Sequence, residues 1–138
     1  MKESSWIDCI EGRSAVKVSP DKARAKSLIE TANERINIIS SINEKNCNFV
    51  FEDYYTSIME LLQAFIILNG YNVTNHICLG YYIKDVLNKE ELYILFDDIR
   101  YKRNSLTYYG KRMDFDTAIN TIKKCKRLID GIKILTKI

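Results

Sequence analysis

The chain has 138 residues, of which 46% are hydrophobic and 28% charged, and this composition excludes a disordered chain. Its longest apolar run, residues 64–68, is far shorter than the ~20 residues that a bilayer-spanning helix needs. One proline and five glycines are too few for the many turns of a β-sandwich or barrel, so a single helical domain is expected.

Apolar residues recur at three- and four-residue spacing through most of the chain, which predicts helices. In chain order, the pattern predicts an irregular segment over 1–18 with 15–18 extended, helices over 19–42 and 51–69, a loop over 72–75, a short helix over 77–87, and helices over 88–110 and from 114 onward. We therefore predict an all-α, up-and-down four- or five-helix bundle over residues 19–138, with short connections.

Capping residues support three of these helix starts. Ser19 followed by Pro20 is typical of an N-cap with proline in the first helical position. Asn88 with Glu91 three residues later matches a capping box, and Asp114 is a favoured N-cap. These residues predict that the helices begin directly after 19, 88 and 114.

The four cysteines, Cys9, Cys47, Cys78 and Cys125, are widely spaced, and none forms a Cys-x-x-Cys pair. With one histidine in the chain, a structural zinc site is not expected, and no metal or cofactor is predicted. The first five residues lead into no apolar segment of the secretory type. We therefore expect a reduced, cytoplasmic protein with free, buried thiols and no membrane contact.

The charge is distributed unevenly. Residues 1–99 carry 10 Lys or Arg and 15 Asp or Glu, whereas residues 100–138 carry 11 and 3. This asymmetry predicts either an anionic partner for the basic third, such as nucleic acid or an acidic protein, or pairing of that third with the acidic part of the same chain. Charge alone does not choose between them.

Arg103 interrupts the apolar stripe of the fourth predicted helix. At 100° per residue it projects about 20° from Leu92. An unpaired guanidinium is costly to bury, so the side chain must meet a carboxylate, reach a cleft, lie at a subunit interface or extend past the bundle end to solvent. Asp53 and Glu60 are candidate carboxylate partners.

The segment around Arg103 contains five cations, three tyrosines and no acid over residues 100–112. Arginine offers bidentate contacts to phosphate, and tyrosine offers a stacking face and a hydroxyl group. The segment is therefore a candidate surface for phosphates and bases, whose contact residues would be Arg100, Lys102, Tyr109, Lys111 and Arg112. His76 is expected to be a capping or structural residue rather than a base.

Residues 103–110, which read Arg-Asn-Ser-Leu-Thr-Tyr-Tyr-Gly, resemble the signature of HEPN domains (higher eukaryotes and prokaryotes nucleotide-binding) in their archaeal form. The family motif is Arg, often followed by Asn, then four to six residues and His near the end of the fourth helix. Further similarity lies at 28–32, 61–64, 68–71, 76–79 and 91–92. The resemblance covers roughly residues 12–137.

This resemblance implies a bundle that forms a homodimer and brings both Arg motifs into one interface cleft. Many family members are metal-independent endoribonucleases, often toxins paired with a minimal nucleotidyltransferase. By correspondence, Arg103 would stabilise charge on the scissile phosphate, Asn104 would take the following polar position, and Tyr108 stands where the family has His.

Tyrosine at 108 weakens the prediction of catalysis, because a phenol with a pKa of about 10 is a poorer base than an imidazole of about 6.5. We expect either an RNA- or nucleotide-binding protein with endoribonuclease activity, or a non-catalytic module whose basic third engages an acidic protein. Tyr108 or Tyr109 is also a candidate acceptor for a nucleotidyl group from a partner enzyme.

Overall fold

The computed structural model describes residues 2–137 and is a helical bundle with one two-stranded ribbon. Its elements are α1 (Trp6–Glu11), β1 (Ala15–Lys17), α2 (Lys22–Asn37), α3 (Cys47–Leu68), β2 (Tyr71–Val73), α4 (His76–Tyr81), a π-helical turn (Tyr82–Val86), α5 (Glu90–Tyr109) and α6 (Phe115–Thr136). The predicted all-α class is therefore confirmed. Within residues 2–137, no helix combines the length and apolar character that a membrane crossing requires.

The central element is α3, which packs against α2, α4, α5, α6 and β2. It has apolar residues on several faces, and it contributes the fully buried side chains Phe51, Ile58, Leu61, Leu62 and Ile66. A helix that is apolar nearly all round is stable in water only when other elements cover it. The surrounding helices therefore take their positions from α3.

Several predicted helix ends are displaced. The first predicted helix begins at Lys22, because the Asp21 side chain rather than Ser19 caps it by accepting a hydrogen bond from the Arg24 amide. It ends at Asn37, five residues early, and Ile39 and Ile42 pack on the core from outside the helix. The second begins one turn early, at Cys47.

The predicted capping box at Asn88 is wrong. Asn88 has a φ of 55°, a left-handed conformation that closes the turn after α4, and α5 starts at Glu90 without a side-chain cap. By contrast, Asp114 caps α6 through the Thr117 amide, as predicted. Gly110, at φ 62°, ends α5.

Residues 1–18 were expected to be irregular, but α1 and β1 are regular elements. The predicted extended segment is confirmed as β1, which pairs antiparallel with β2 in the register Ala15 with Val73. The loop expected over 72–75 is therefore wrong for residues 72 and 73, which belong to β2, and is confirmed for residues 74 and 75. The buried Trp6 ring makes edge contacts with Tyr71 and Tyr82, so α1 belongs to the packed core.

A disulfide joins Cys9 of α1 to Cys78 of α4 across 69 residues of sequence. The expectation of four free thiols is therefore wrong for this pair, although Cys47 and Cys125 are free and buried as predicted. The spacing of the four cysteines does not reveal this pair, because Cys9 and Cys78 come together only when α1 packs against α4. The argument for a reduced, cytoplasmic protein from cysteine usage loses its support.

Candidate functional site

An open cleft of about 420 Å³ lies between the start of α4 and the C-terminal half of α5. Residues of two chain segments line it: Thr74, Asn75, His76 and Ile77 on one side, and Arg100, Arg103, Asn104 and Tyr108 on the other. All three residues predicted to be catalytic therefore share one cleft with Arg100 and His76. The site combines cations, an amide, a phenol and an imidazole.

Close packing of α4 on α5 brings the two sides together. Gly80 of α4 lies against the Phe96 ring, so closely that a methyl group added there would stand 2.9 Å from two ring carbons. One turn back along α4 from Gly80 is His76, and one turn forward along α5 from Phe96 is Arg100. This contact sets the width of the cleft.

The α4 side of the cleft is held in place from outside the helix. The Asn75 side chain caps α4 by accepting a hydrogen bond from the Cys78 amide at 3.0 Å. The Thr74 amide and hydroxyl both donate to the Ser14 carbonyl, at 2.9 and 3.2 Å. Together with the Cys9–Cys78 disulfide, these contacts tie the His76 side of the cleft to the N-terminal segment.

Arg103 is half-buried and reaches the cleft, which was one of the positions expected for it. Its guanidinium carbon lies 5.3 Å from the centre of the Tyr55 ring and 5.7 Å from that of Tyr108. Among residues 2–137, no carboxylate lies within 4.0 Å of it. The cation is therefore supported by two aromatic rings, and its charge is not neutralised by an ion pair.

The two candidate carboxylate partners of Arg103 lie elsewhere. Glu60 accepts two hydrogen bonds from Arg35, at 3.2 and 3.1 Å. Asp53 is exposed on α3 and forms no ion pair with Arg103. Neither carboxylate is therefore the partner of Arg103. Glu60 already forms a bidentate ion pair with Arg35, which the sequence alone did not reveal.

His76 meets the buried Tyr55, whose hydroxyl lies 2.9 Å from the His76 Nδ1. The other ring nitrogen, Nε2, has no hydrogen-bond partner within residues 2–137 and is not fully buried. We expected His76 to be a capping or structural residue, but Asn75 provides the cap. The contact with Tyr55 agrees with a structural role, and the imidazole also lines the cleft with one nitrogen available.

Burial and neighbouring cations perturb the pKa values of this pair. Burial lowers the pKa of His76 below its usual 6.5, and the positive charges of Arg103 and Arg100 lower it further. Burial raises the pKa of Tyr55 to about 12, against the opposing effect of the two arginines. At neutral pH the imidazole is therefore uncharged, and the phenol keeps its proton.

Arg100 is the second cation of the cleft. Its Nη2 donates to Asp97 at 2.9 Å, whereas its Nε is fully buried without a hydrogen-bond partner in the described chain. Because Asp97 neutralises part of its charge, Arg100 contributes less free positive charge than Arg103.

The other residues predicted to bind phosphate lie outside this cleft. Lys102 donates to Asp98 at 3.0 Å, and Asp98 also accepts from Lys124 of α6. Lys102, Lys111 and Arg112 line a separate depression of about 240 Å³. Tyr109 is 82% exposed and lines neither the cleft nor this depression. The helical period thus places Lys102 on a different face of α5 from Arg103, and Lys111 and Arg112 follow the end of that helix.

Pairing within the chain accounts for part of the charge asymmetry. Arg100, Lys102 and Lys124 of the basic third all bind Asp97 or Asp98 at the end of the acidic part. Arg103 has no such partner among residues 2–137. Intramolecular pairing therefore explains three of the cations, but it does not explain Arg103.

Comparisons of the chain with protein-family models, curated proteins and solved structures found no match. The described residues also contain no group of three or more His, Cys, Asp or Glu side chains that could hold a metal ion. The cleft and the resemblance of the Arg103 motif to that of HEPN domains are therefore the basis for a functional assignment.

Proposed function

We propose that this protein is a HEPN-like, RNA-binding endoribonuclease that needs no metal ion. The observation that carries the proposal is the half-buried Arg103, which faces an open cleft with no carboxylate within 4.0 Å in the described chain. The same cleft contains Asn104, Tyr108 and the imidazole of His76. A polyanion with aromatic bases and ribose hydroxyls fits this combination of groups.

Phosphate is the ligand that best suits Arg103. A guanidinium forms bidentate hydrogen bonds to phosphate oxygens, and these bonds are strong because both partners are charged. The rings of Tyr55 and Tyr108 limit the movement of the side chain, so less rotamer freedom is lost when a ligand binds. The Tyr108 side chain, 67% exposed at the rim, is free to stack on a base.

The proposed reaction is an internal transesterification of RNA. The ribose 2′-oxygen attacks the neighbouring phosphorus, and the bond from phosphorus to the 5′-oxygen of the next nucleotide breaks. The products are a 2′,3′-cyclic phosphate and a 5′-hydroxyl. Arg103 stabilises the negative charge that develops on the phosphoryl oxygens, and Asn104 and Tyr108 position the substrate.

We further propose that the protein works as a homodimer, with α5 at the interface, and that a nucleotidyltransferase is its partner. Three exposed tyrosines on the C-terminal half of α5, Tyr101, Tyr108 and Tyr109, support an interface along this helix. Light scattering of the eluting chromatographic peak tests the assembly. A strict monomer at tens of micromolar protein would contradict a shared cleft.

Cleavage of a labelled RNA in the presence of EDTA tests the enzymatic function. Arg103→Ala should lower the rate by about 10²–10³, the usual loss when one well-placed stabilising donor is removed. Arg127→Ala is the matched control, since it removes the same charge from an exposed position on α6 outside the cleft. Equal rates for the two variants would overturn the assignment.

Binding measurements separate a ribonuclease from a binding module. RNA affinity should fall as salt rises, because each neutralised phosphate releases counterions. Arg103→Ala should weaken binding more than Arg127→Ala does. Salt-dependent binding without cleavage by the wild type would contradict the enzyme but not RNA binding. If the wild type neither binds nor cleaves RNA, an acidic protein partner remains as the explanation of the basic third of the chain.

A further inference from the structure

We propose that His76 of α4 accepts the proton of the ribose 2′-hydroxyl in this cleft, and that Tyr55 of α3 is a positioning residue that orients its ring. The proton carrier of the site would then come from a different helix than the arginine motif of α5. This inference rests on the proposed function and deepens it.

The first support is the position of the imidazole. His76 lines the same cleft as Arg103, Asn104 and Tyr108, but it belongs to α4 and they belong to α5. A phosphodiester held by Arg103 in a cleft of about 420 Å³ therefore comes near the imidazole. The transfer needs a group that takes the proton of the attacking 2′-hydroxyl, and His76 is the residue of this cleft best suited to that role.

The second support is the state of the two ring nitrogens. Nδ1 is occupied by the Tyr55 hydroxyl at 2.9 Å, and Nε2 has no partner in the described chain. When Nδ1 carries the proton and donates it to the Tyr55 oxygen, Nε2 presents its lone pair to the cleft. A hydroxyl can accept as well as donate, so it also stabilises the imidazolium that forms once Nε2 has taken a proton.

The third support is that a single ring positions both groups. Tyr55 is 2% exposed and fixed in the core, its face carries the Arg103 guanidinium, and its hydroxyl binds His76. One rigid side chain therefore positions both the phosphate-binding cation and the base. Such fixed spacing is what a near-attack geometry requires.

Tyr108 is a weaker candidate for the same role. Its side chain is 67% exposed at the rim, and a phenol oxygen accepts a proton far less readily than an imidazole nitrogen. By contrast, burial and then the charges of Arg103 and Arg100 lower the pKa of His76 and keep the imidazole neutral. A neutral imidazole is the form that accepts a proton.

The proton balance of the step is complete. His76 Nε2 takes the 2′-hydroxyl proton as the 2′-oxygen bonds to phosphorus and the bond to the 5′-oxygen breaks. The leaving 5′-oxygen takes a proton from solvent water, and the imidazolium returns its proton to the hydroxide that remains. No net proton is gained or lost by the enzyme.

The test uses the full-length protein, labelled RNA and EDTA throughout. His76→Gln should lower the cleavage rate by about 10²–10⁴, the usual contribution of one acid–base group, while RNA affinity stays near that of the wild type. Arg103→Ala should lower both rate and affinity. Tyr55→Phe should lower the rate to a smaller extent and shift the pH dependence of cleavage.

Chemical rescue keeps the test decisive if His76→Gln proves unstable. His76→Ala, with folding verified by circular dichroism, should regain cleavage when free imidazole is added, and the regained rate should follow the neutral imidazole concentration. Diethyl pyrocarbonate should inactivate the wild type through its one histidine, and hydroxylamine should restore it.

The outcomes separate this inference from the proposed function. If the wild type cleaves RNA and His76→Gln cleaves it equally fast, or if folded His76→Ala shows no rescue by imidazole, His76 is not the base and the ribonuclease assignment stands. If the wild type cleaves no RNA, the proposed function itself fails, and the role of His76 falls with it.

Discussion

The hydroxyl of Tyr55 and Nδ1 of His76 lie 2.9 Å apart, although 21 residues separate them in the sequence. The contact joins α3, the central helix, to the first residue of α4. Because Tyr55 is buried, the position of His76 in the cleft depends on the core of the protein and not on a surface loop. Cleft geometry and core stability are therefore linked through this pair.

Removing the Tyr55 hydroxyl should expose this link. Tyr55→Phe keeps the buried ring beneath Arg103 but removes the hydrogen bond to His76, and we expect a loss of about 1 kcal/mol in the free energy of unfolding. A double-mutant cycle with His76→Ala, followed by urea denaturation, measures the coupling. A coupling energy of zero would contradict the hydrogen bond.

The pKa of His76 should lie below 6.5, and its imidazole resonances can be assigned directly because the chain has one histidine. The groups that face it are Arg100 and Arg103 of α5 and Tyr55 of α3. An NMR titration of the wild type measures the value. Arg103→Gln should raise it, because one of the two cations that disfavour the imidazolium is removed.

The lowered pKa also predicts how stability depends on pH. The unfolded chain, with a histidine pKa of about 6.5, binds more protons than the folded chain between the two pKa values. The contribution of His76 to stability is therefore fully present above about pH 6.5 and is lost as the pH falls toward the folded value. His76→Gln should flatten this part of the curve.

The Cys9–Cys78 disulfide should account for a large part of the stability. It closes a loop spanning 69 residues, for which chain entropy predicts about 4 kcal/mol, within a usual range of about 2–5 kcal/mol. Cys9→Ser/Cys78→Ser should lose this amount in urea denaturation, and reduced wild type should behave like the variant. Alkylation of unfolded, unreduced protein should label two thiols; four labelled thiols would contradict the pairing.

Gly80 and Gly131 provide a matched pair of substitutions for the packing against α5. Gly80→Ala places a methyl group 2.9 Å from the buried Phe96 ring, which cannot yield, and it should cost about 1–3 kcal/mol. Gly131→Ala places one 2.7 Å from the tip of the partly exposed Leu92. That side chain can rotate away, and the gain in helix propensity of up to about 1 kcal/mol offsets the contact.

Thermal unfolding of the two variants measures the difference. Gly80→Ala should melt well below Gly131→Ala and should also alter the His76 resonances, because Gly80 sets the approach of α4 to α5. Equal melting temperatures would show that α4 packs less closely against α5 than the structure indicates.

Local signals in the sequence determined most of the helices. The apolar periodicity places α3, α5 and α6, the Asp114 cap starts α6, and Gly110 ends α5, because each of these depends on residues within one or two turns. Arg103 was recognised for the same reason, as a cation within an apolar stripe. The errors fell at helix ends: Asp21 rather than Ser19 caps α2, and Asn88 takes a left-handed conformation instead of capping α5.

The tertiary structure alone decided which side chains share the cleft. His76 gave no local indication of function, and neither Tyr55 nor the Cys9–Cys78 pair is marked by spacing, because each contact joins residues brought together by α4 packing on α3, α5 and α1. The helical period also divided the basic segment, leaving Arg103 in the cleft and Lys102 on Asp98. Residue type and spacing mark a helix and its exceptional residues, but the neighbours of a side chain across a core depend on how the helices pack.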